Sequence, residues 1–307
     1  MKLLKQKFVV LMAFLATCPV SGYAHDVQNK VELGQGYRRD HLKWSISAPH
    51  KRPNIRSELD WKDIDIYLTT LKMSMSNKEY IAAIDLAYGD ILNGRVRDSD
   101  YYDNRMAEYS RSYHKIGGDY TFDAMARIGR IFEIADKLTI TPSLGYAAFW
   151  QRLRMNKGGH GELQSKGLLY KKLNSTYKAR WHAPFVHLGF STSLTPRTFL
   201  DAGYALFYPV RYRAKWHWNL RNMRNTDKSN GWKNIGHRAN IGLRFACTER
   251  LELGFVWVLS HFKTDGGTTV YRNRNKKFKD DRRMKKIPFR KSERTFADYV
   301  LTLSYSF

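Results

Sequence analysis

Cysteine is nearly absent from this chain, which carries only Cys18 and Cys247. Cys18 lies in an N-terminal stretch that reads as a removable leader. The mature protein then keeps one thiol and can form neither an internal disulfide nor a cysteine-based metal site. His182, His187, His237 and His261 show no ligand-like spacing to carboxylates, so no metal and no cofactor are expected. Proline is scarce, at 8 residues, and no long polar linker divides the chain. Past the leader there is no run of 18 apolar residues, which excludes membrane-spanning helices. Acidic residues are few, 28 against 53 basic. No internal repeat or low-complexity segment is visible.

The leader itself occupies residues 1–24. Lys2, Lys5 and Lys7 precede a short apolar run from Phe8 to Ala16, and Gly22 and Ala24 bracket Tyr23 as a signal peptidase requires. Its removal leaves a single exported unit, 25–307, with 50 basic residues against 28 acidic. Such a charge usually suggests nucleic acid, but an exported protein rarely meets it. The anions of an outer leaflet, phosphorylated lipid A and core sugar, are the partners this charge fits. Segment 264–294 alone holds twelve basic and four acidic residues, and reads either as an anion-gathering loop or as a solvated one.

What the chain has in abundance is aromatic residues, 19 Tyr, 16 Phe and 8 Trp, and apolar residues that recur every second position. Tyr80, Ala82, Ile84, Leu86 and Tyr88 alternate with Ala83, Asp85, Ala87 and Gly89. Leu251, Leu253, Phe255, Trp257 and Leu259 alternate with small or polar residues, and the tail ends Tyr299, Leu301, Leu303, Tyr305, Phe307 in the same way. A soluble sandwich and a membrane barrel both produce this pattern. Bracketing tyrosines, long strands and a terminal Phe307 favour an all-β, ten-stranded antiparallel transmembrane β-barrel in a bacterial outer membrane. The strands fall near 31–47, 57–73, 79–96, 108–132, 138–154, 167–192, 198–220, 236–247, 250–263 and 295–307. Short connections alternate with long ones, and the long ones should face outward from the cell.

One long connection reads Arg95-Val96-Arg97-Asp98-Ser99-Asp100-Tyr101-Tyr102-Asp103-Asn104, an acid cluster in a basic chain. At the same end, strand 7 reads with Tyr204, Leu206, Tyr208, Val210, Tyr212, Trp216 and Trp218 toward lipid. Arg211, Arg213, Lys215 and His217 then point into the lumen. A carboxylate and an imidazole across a wet cleft can activate water. A solvated loop paired with Arg95, Arg97 and Arg105 explains the cluster as well. Strand parity, moreover, puts Asp98 and Asp100 on the lipid side unless a bulge intervenes.

Four segments resemble the omptins, ten-stranded outer-membrane endopeptidases. They are Ser57-Glu58-Leu59-Asp60-Trp61-Lys62, Asp98-Ser99-Asp100-Tyr101-Tyr102-Asp103, Gly145-Tyr146 followed by Gly158-Gly159, and Tyr177-Lys178-Ala179-Arg180-Trp181-His182-Ala183-Pro184. They occur in order through nearly the whole mature chain. The chain also resembles outer-membrane proteins of chlamydia-related bacteria that share this barrel. The omptin resemblance implies a catalytic set of Asp98, Asp100 and His217. Lys215 stands where the family keeps the aspartate that orients the histidine, which implies a degenerate site. It also implies that Arg152 and Arg180 hold lipid A phosphates, through the paired N–H donors that suit arginine to phosphate. Two functions follow as expectations. One is a surface endopeptidase acting on peptides or host proteins. The other is a non-catalytic structural, adhesin-like or narrow-pore barrel. Lipopolysaccharide and the bilayer are partners in either case.

Overall fold

The structure is a computed structural model that describes residues 27–48, 54–156, 159–163, 166, 173–219, 222–273 and 285–307. The leader expected at 1–24 lies outside them. Fifteen strand segments were found: β1 Gln28–Ile46, β2 Ser57–Ser76, β3 Tyr80–Tyr101, β4 Glu108–Ile116, β5 Asp119–Arg130, β6 Phe132–Ala135, β7 Leu138–Met155, β8 His160–Leu163, β9 Ser175–Thr195, β10 Thr198–Phe207, β11 Arg211–Trp218, β12 Met223–Ser229, β13 Ile235–Ala246, β14 Leu251–Asn273 and β15 Lys285–Ser306. They form one antiparallel sheet that closes on itself.

Ten ring strands result, because β4 to β6 run on as one wall strand, as do β7 with β8, β10 with β11, and β12 with β13. Closure is made by β15 against β1, from Lys30 opposite Ser306 to Trp44 opposite Ser292. Phe307 extends that ladder by exchanging hydrogen bonds with Asn29. Among the described residues no strand edge of the membrane band is left unpaired, as a bilayer demands.

The membrane band follows the alternation. Tyr204, Leu253, Phe255, Trp257, Leu301 and Leu303 are exposed on the outer wall, while Ala83, Ala87, Ala205 and Val258 turn inward and are buried. Glycines let ladders approach closely at this level. A Cβ on Gly36 would stand 2.2 Å from the Tyr299 carbonyl oxygen, so no larger residue fits there.

Above the band the wall continues further than expected. Residues 97–101, 223–229, 264–273 and 285–294, read from the sequence as loop, are strand. Here the chemistry inverts. Apolar side chains such as Ile287 and Phe289 point inward and are buried, and cations such as Lys228 and Lys286 are exposed, so no lipid-facing stripe marks these strands.

Candidate functional site

Two parity slips decide what faces the upper lumen. The first lies on β2 and β3. Asp63 adopts a φ of 52°, Gly94 a φ of 157°, and the β2–β3 register shifts between Lys62 and Ile66. Below the slip, Ile66 and Ile91 are buried inside; above it, Trp61 and Val96 are. Asp98 lies opposite Leu59, and Asp100 opposite Ser57. Both acids therefore share the inward face of Leu59 and Trp61. Simple alternation had put them toward lipid; the bulge reverses them.

The second slip separates β10 from β11. Phe207 is fully buried, Tyr208 is exposed, and Val210 is again fully buried. Pro209 cannot donate to a ladder, and three residues take the place of two. From here the expected facing of strand 7 is inverted. Val210, Tyr212 and Trp216 are buried in the lumen, whereas Arg211, Arg213 and Lys215 are exposed on the outer wall. His217 shares their parity, opposite Thr176 and Arg224. The structure thus does not bring His217 together with Asp98 and Asp100. It sets them on opposite faces of the wall, and the inward positions of β11 belong to Ala214 and Trp216.

The upper lumen is filled rather than hollow. Trp44 packs edge-on against Trp216 at 5.3 Å, Trp61 lies on Tyr177 at 4.9 Å, and Tyr212 stacks on Phe289 at 5.2 Å. The hydroxyls of Tyr177 and Tyr212 hydrogen-bond to each other. Asp227 is completely buried within this cluster. It accepts a hydrogen bond from Trp44 Nε1 at 2.8 Å and one from Thr269 Oγ1 at 2.7 Å. Desolvation by burial pushes its carboxyl up to about 7, against the opposing pull of these donors.

Beneath the aromatic fill lies an ionic layer at the barrel waist. Arg38 donates to both oxygens of Asp298, at 2.6 and 2.9 Å, and reaches Asp123 at 2.7 Å. Arg294 donates to Asp40 at 2.7 and 2.9 Å, joined by Gln151 at 2.9 Å. All six side chains are buried, so each charge needs the partner it has.

The outer wall above the membrane band is strongly charged. On one side, formed by β1 to β4, cations and acids are paired: Arg39 with Asp63, Lys62 with Asp60, Arg105 with Glu58. On the other, formed by β7, β9, β11 and β12, they are not. Arg152 lies opposite Lys178, and Lys178 opposite Lys215. One step nearer the membrane, Arg180 lies opposite Arg213, and Arg213 opposite Lys228. Asp119 is the acid beside these rows, and Arg152 and Arg154 already hold it at 3.1 and 3.3 Å. Lys178, Arg180, Arg213, Lys215 and Lys228 are exposed, with no carboxylate at ion-pair distance among the described residues. Like charges placed directly across strands repel, so the rows are stabilised when an anion lies over them. Trp150 stands in the second row, directly opposite Arg180, and Tyr208 sits just below it, aromatic residues of the kind that mark a bilayer interface. The sequence singled out Arg152 and Arg180 but missed Lys178, Arg213 and Lys228. The signal for Lys178 and Arg213 was an alternation of cations with apolar residues continuing past the lipid band, while Lys228 lies among polar residues and had no such signal.

The sequence matches the model of the family described as Protochlamydia outer membrane protein (Pom) over residues 32–299. No curated protein matches it. Among solved structures, the chain is similar to the outer membrane protease OmpT of Escherichia coli. The TM-score is 0.72 at 12% identity, covering 94% of this chain and 99% of that one. Similarity to the toluene transporter TodX of P. putida is lower, with a TM-score of 0.37 at 9% identity over 93% and 91% of the two chains. The likeness to OmpT is one of fold. Together with the family match it places this barrel in a bacterial outer membrane.

Proposed function

Because the chain belongs to the Protochlamydia outer membrane protein family, we propose that this outer-membrane barrel acts through its outer wall, as a non-catalytic scaffold that gathers lipid phosphates. The observation that carries this reading is the pair of cation rows, Arg152–Lys178–Lys215 and Arg180–Arg213–Lys228. Five of the six side chains are exposed, and like charges face each other across every ladder. A phosphorylated lipid A headgroup, lying at the interface beside Trp150 and Tyr208, supplies the charge these rows lack. Arginine's planar fork suits a phosphate oxygen pair, and the lysines add point charge. Arg152 and Arg180 keep the lipid-contacting role suggested by the omptin resemblance, now as members of a larger patch.

The proteolytic alternative has less support. Water activation needs an acid and a base across one cleft, and His217 stands on the other face of the wall from Asp98 and Asp100. The aromatic fill also opposes a narrow pore through the upper lumen. The test is the affinity of the refolded barrel for bilayers doped with lipid A, compared with bilayers doped with the dephosphorylated lipid. Binding should require the phosphates and should weaken in an Arg180→Ala, Arg213→Ala double variant. Equal affinity for both lipids would end this reading.

A further inference from the structure

Below the ionic waist the lumen opens into a polar vestibule of about 450 Å³, whose mouth lies at the short-turn rim beside Gln28, Ser76 and Ser306. Its carboxylates are all engaged. Asp85 pairs with Arg127 at 2.6 Å, and Asp201 and Glu252 pair with Arg244. Asp123 and Asp298 are held by Arg38. Glu32 accepts from Ser304 Oγ at 3.0 Å.

The cations are not all engaged. Among the described residues neither Lys72 nor Arg238, which line the same cavity, has a carboxylate at ion-pair distance, although Lys72 stands across the ladders from Glu32 and Asp85. The guanidinium of Arg238 crosses the lumen to the Met125 sulfur at 3.3 Å, a weak acceptor for a charged donor. His187 also lines the space, and its Nδ1 is buried without a hydrogen-bond partner. Gly203 keeps that wall open. A Cβ there would stand 2.8 Å from His187 Nε2 and 2.7 Å from Asn240 Oδ1.

We infer that this vestibule is a binding site for a small tetrahedral oxyanion of the phosphate class, entering from the periplasmic mouth. Lys72 on β2, His187 on β9, and Arg238 with Asn240 on β13 converge on it from three parts of the wall. Such spread donors fit an anion with oxygens in several directions better than a planar carboxylate. Arg238 supplies paired N–H donors, Lys72 a mobile charge, and His187 and Asn240 neutral hydrogen bonds. A partly enclosed, partly dehydrated pocket strengthens each of these contacts. The site is separate from the outer-wall rows, which lie at the other end of the barrel.

The experiment is a calorimetric titration of inorganic phosphate into the full refolded chain, in neutral detergent, free of lipid A and of phosphate. Saturable one-to-one binding is expected, weakened about tenfold or more by Arg238→Gln, as for the loss of one charge-assisted contact. Lys72→Gln, nearer the mouth and in no ion pair among the described residues, should weaken it as well and guards against a folding defect at Arg238. The Arg180→Ala, Arg213→Ala variant of the outer wall, whatever weak phosphate contact it loses there, should keep the saturable one-to-one binding of the vestibule. Absence of saturable binding overturns the inference. So does binding that survives both vestibule variants, or that disappears in the outer-wall variant.

Discussion

Trp44 Nε1 donates a 2.8 Å hydrogen bond to Asp227 at the centre of the upper lumen, joining β1 to β12 across the barrel. Neither side chain touches water, and the ring of Trp216 closes over the pair. A carboxylate in such surroundings is disfavoured as an anion. Burial therefore favours its protonated form in the folded chain.

A pH dependence follows from Asp227. The folded carboxyl titrates at about 7, whereas in an unfolded chain it titrates near ~4. Its contribution is fully present below the unfolded value and is lost as pH rises toward the folded one. Unfolding in urea should become easier between about pH 4 and pH 7 by up to ~4 kcal/mol for this group. Asp227→Asn, which cannot ionise, should flatten that part of the profile. The check is the unfolding midpoint of both proteins at pH 5 and pH 8.

Lys215→Asp should confer no peptidase activity, and His217→Ala should change none. Both side chains lie on the outer-wall face of β11, so an acid at 215 cannot orient a base against Asp98 or Asp100 across the lumen. A broad fluorogenic peptide library, incubated with each variant in lipopolysaccharide-containing micelles, measures this. Cleavage gained with Lys215→Asp and lost again with His217→Ala would restore the catalytic reading.

The ionic waist should be costly to break. Arg38→Met removes the cation shared by Asp123 and Asp298, both at most 2% exposed. Leaving buried carboxylates unpartnered costs about 3 to 5 kcal/mol. Adding Asp123→Asn and Asp298→Asn should recover part of that loss. Equilibrium unfolding in detergent, comparing single and triple variants, tests the pairing directly.

The membrane half of this fold was legible because lipid imposes one rule on every strand. The outer face must be apolar, so Leu253, Phe255 and Trp257 declare themselves by spacing alone. The upper half obeys the opposite rule. Tyr212 and Trp216 look like lipid-facing residues in a list, yet they fill the lumen, and Arg213 and Lys215 meet the solvent. Nothing in a period-two pattern marks where lipid ends. Two slips compound the difficulty, since each inverts every face beyond it. Gly94 and Pro209 stand at the two slips, and which way the chain recovers there depends on the partner strand. That is why Asp98 and Asp100 were expected on the wrong face without a bulge, and why His217 was expected on the wrong one altogether. Asp227 gave no sequence signal: an isolated acid in an apparent loop becomes a core residue only when β12 joins the wall.

The most direct test of the outer-wall account is photocrosslinking at position 178. A benzophenone amino acid in place of Lys178 stands between Arg152 and Lys215, over the cation rows. In outer membranes it should capture phosphorylated lipid A, and the capture should fall sharply when Arg180 and Arg213 are both alanine. Efficient capture that is indifferent to those arginines, or no lipid captured at all, would contradict the claim that this face is built to hold lipid phosphates.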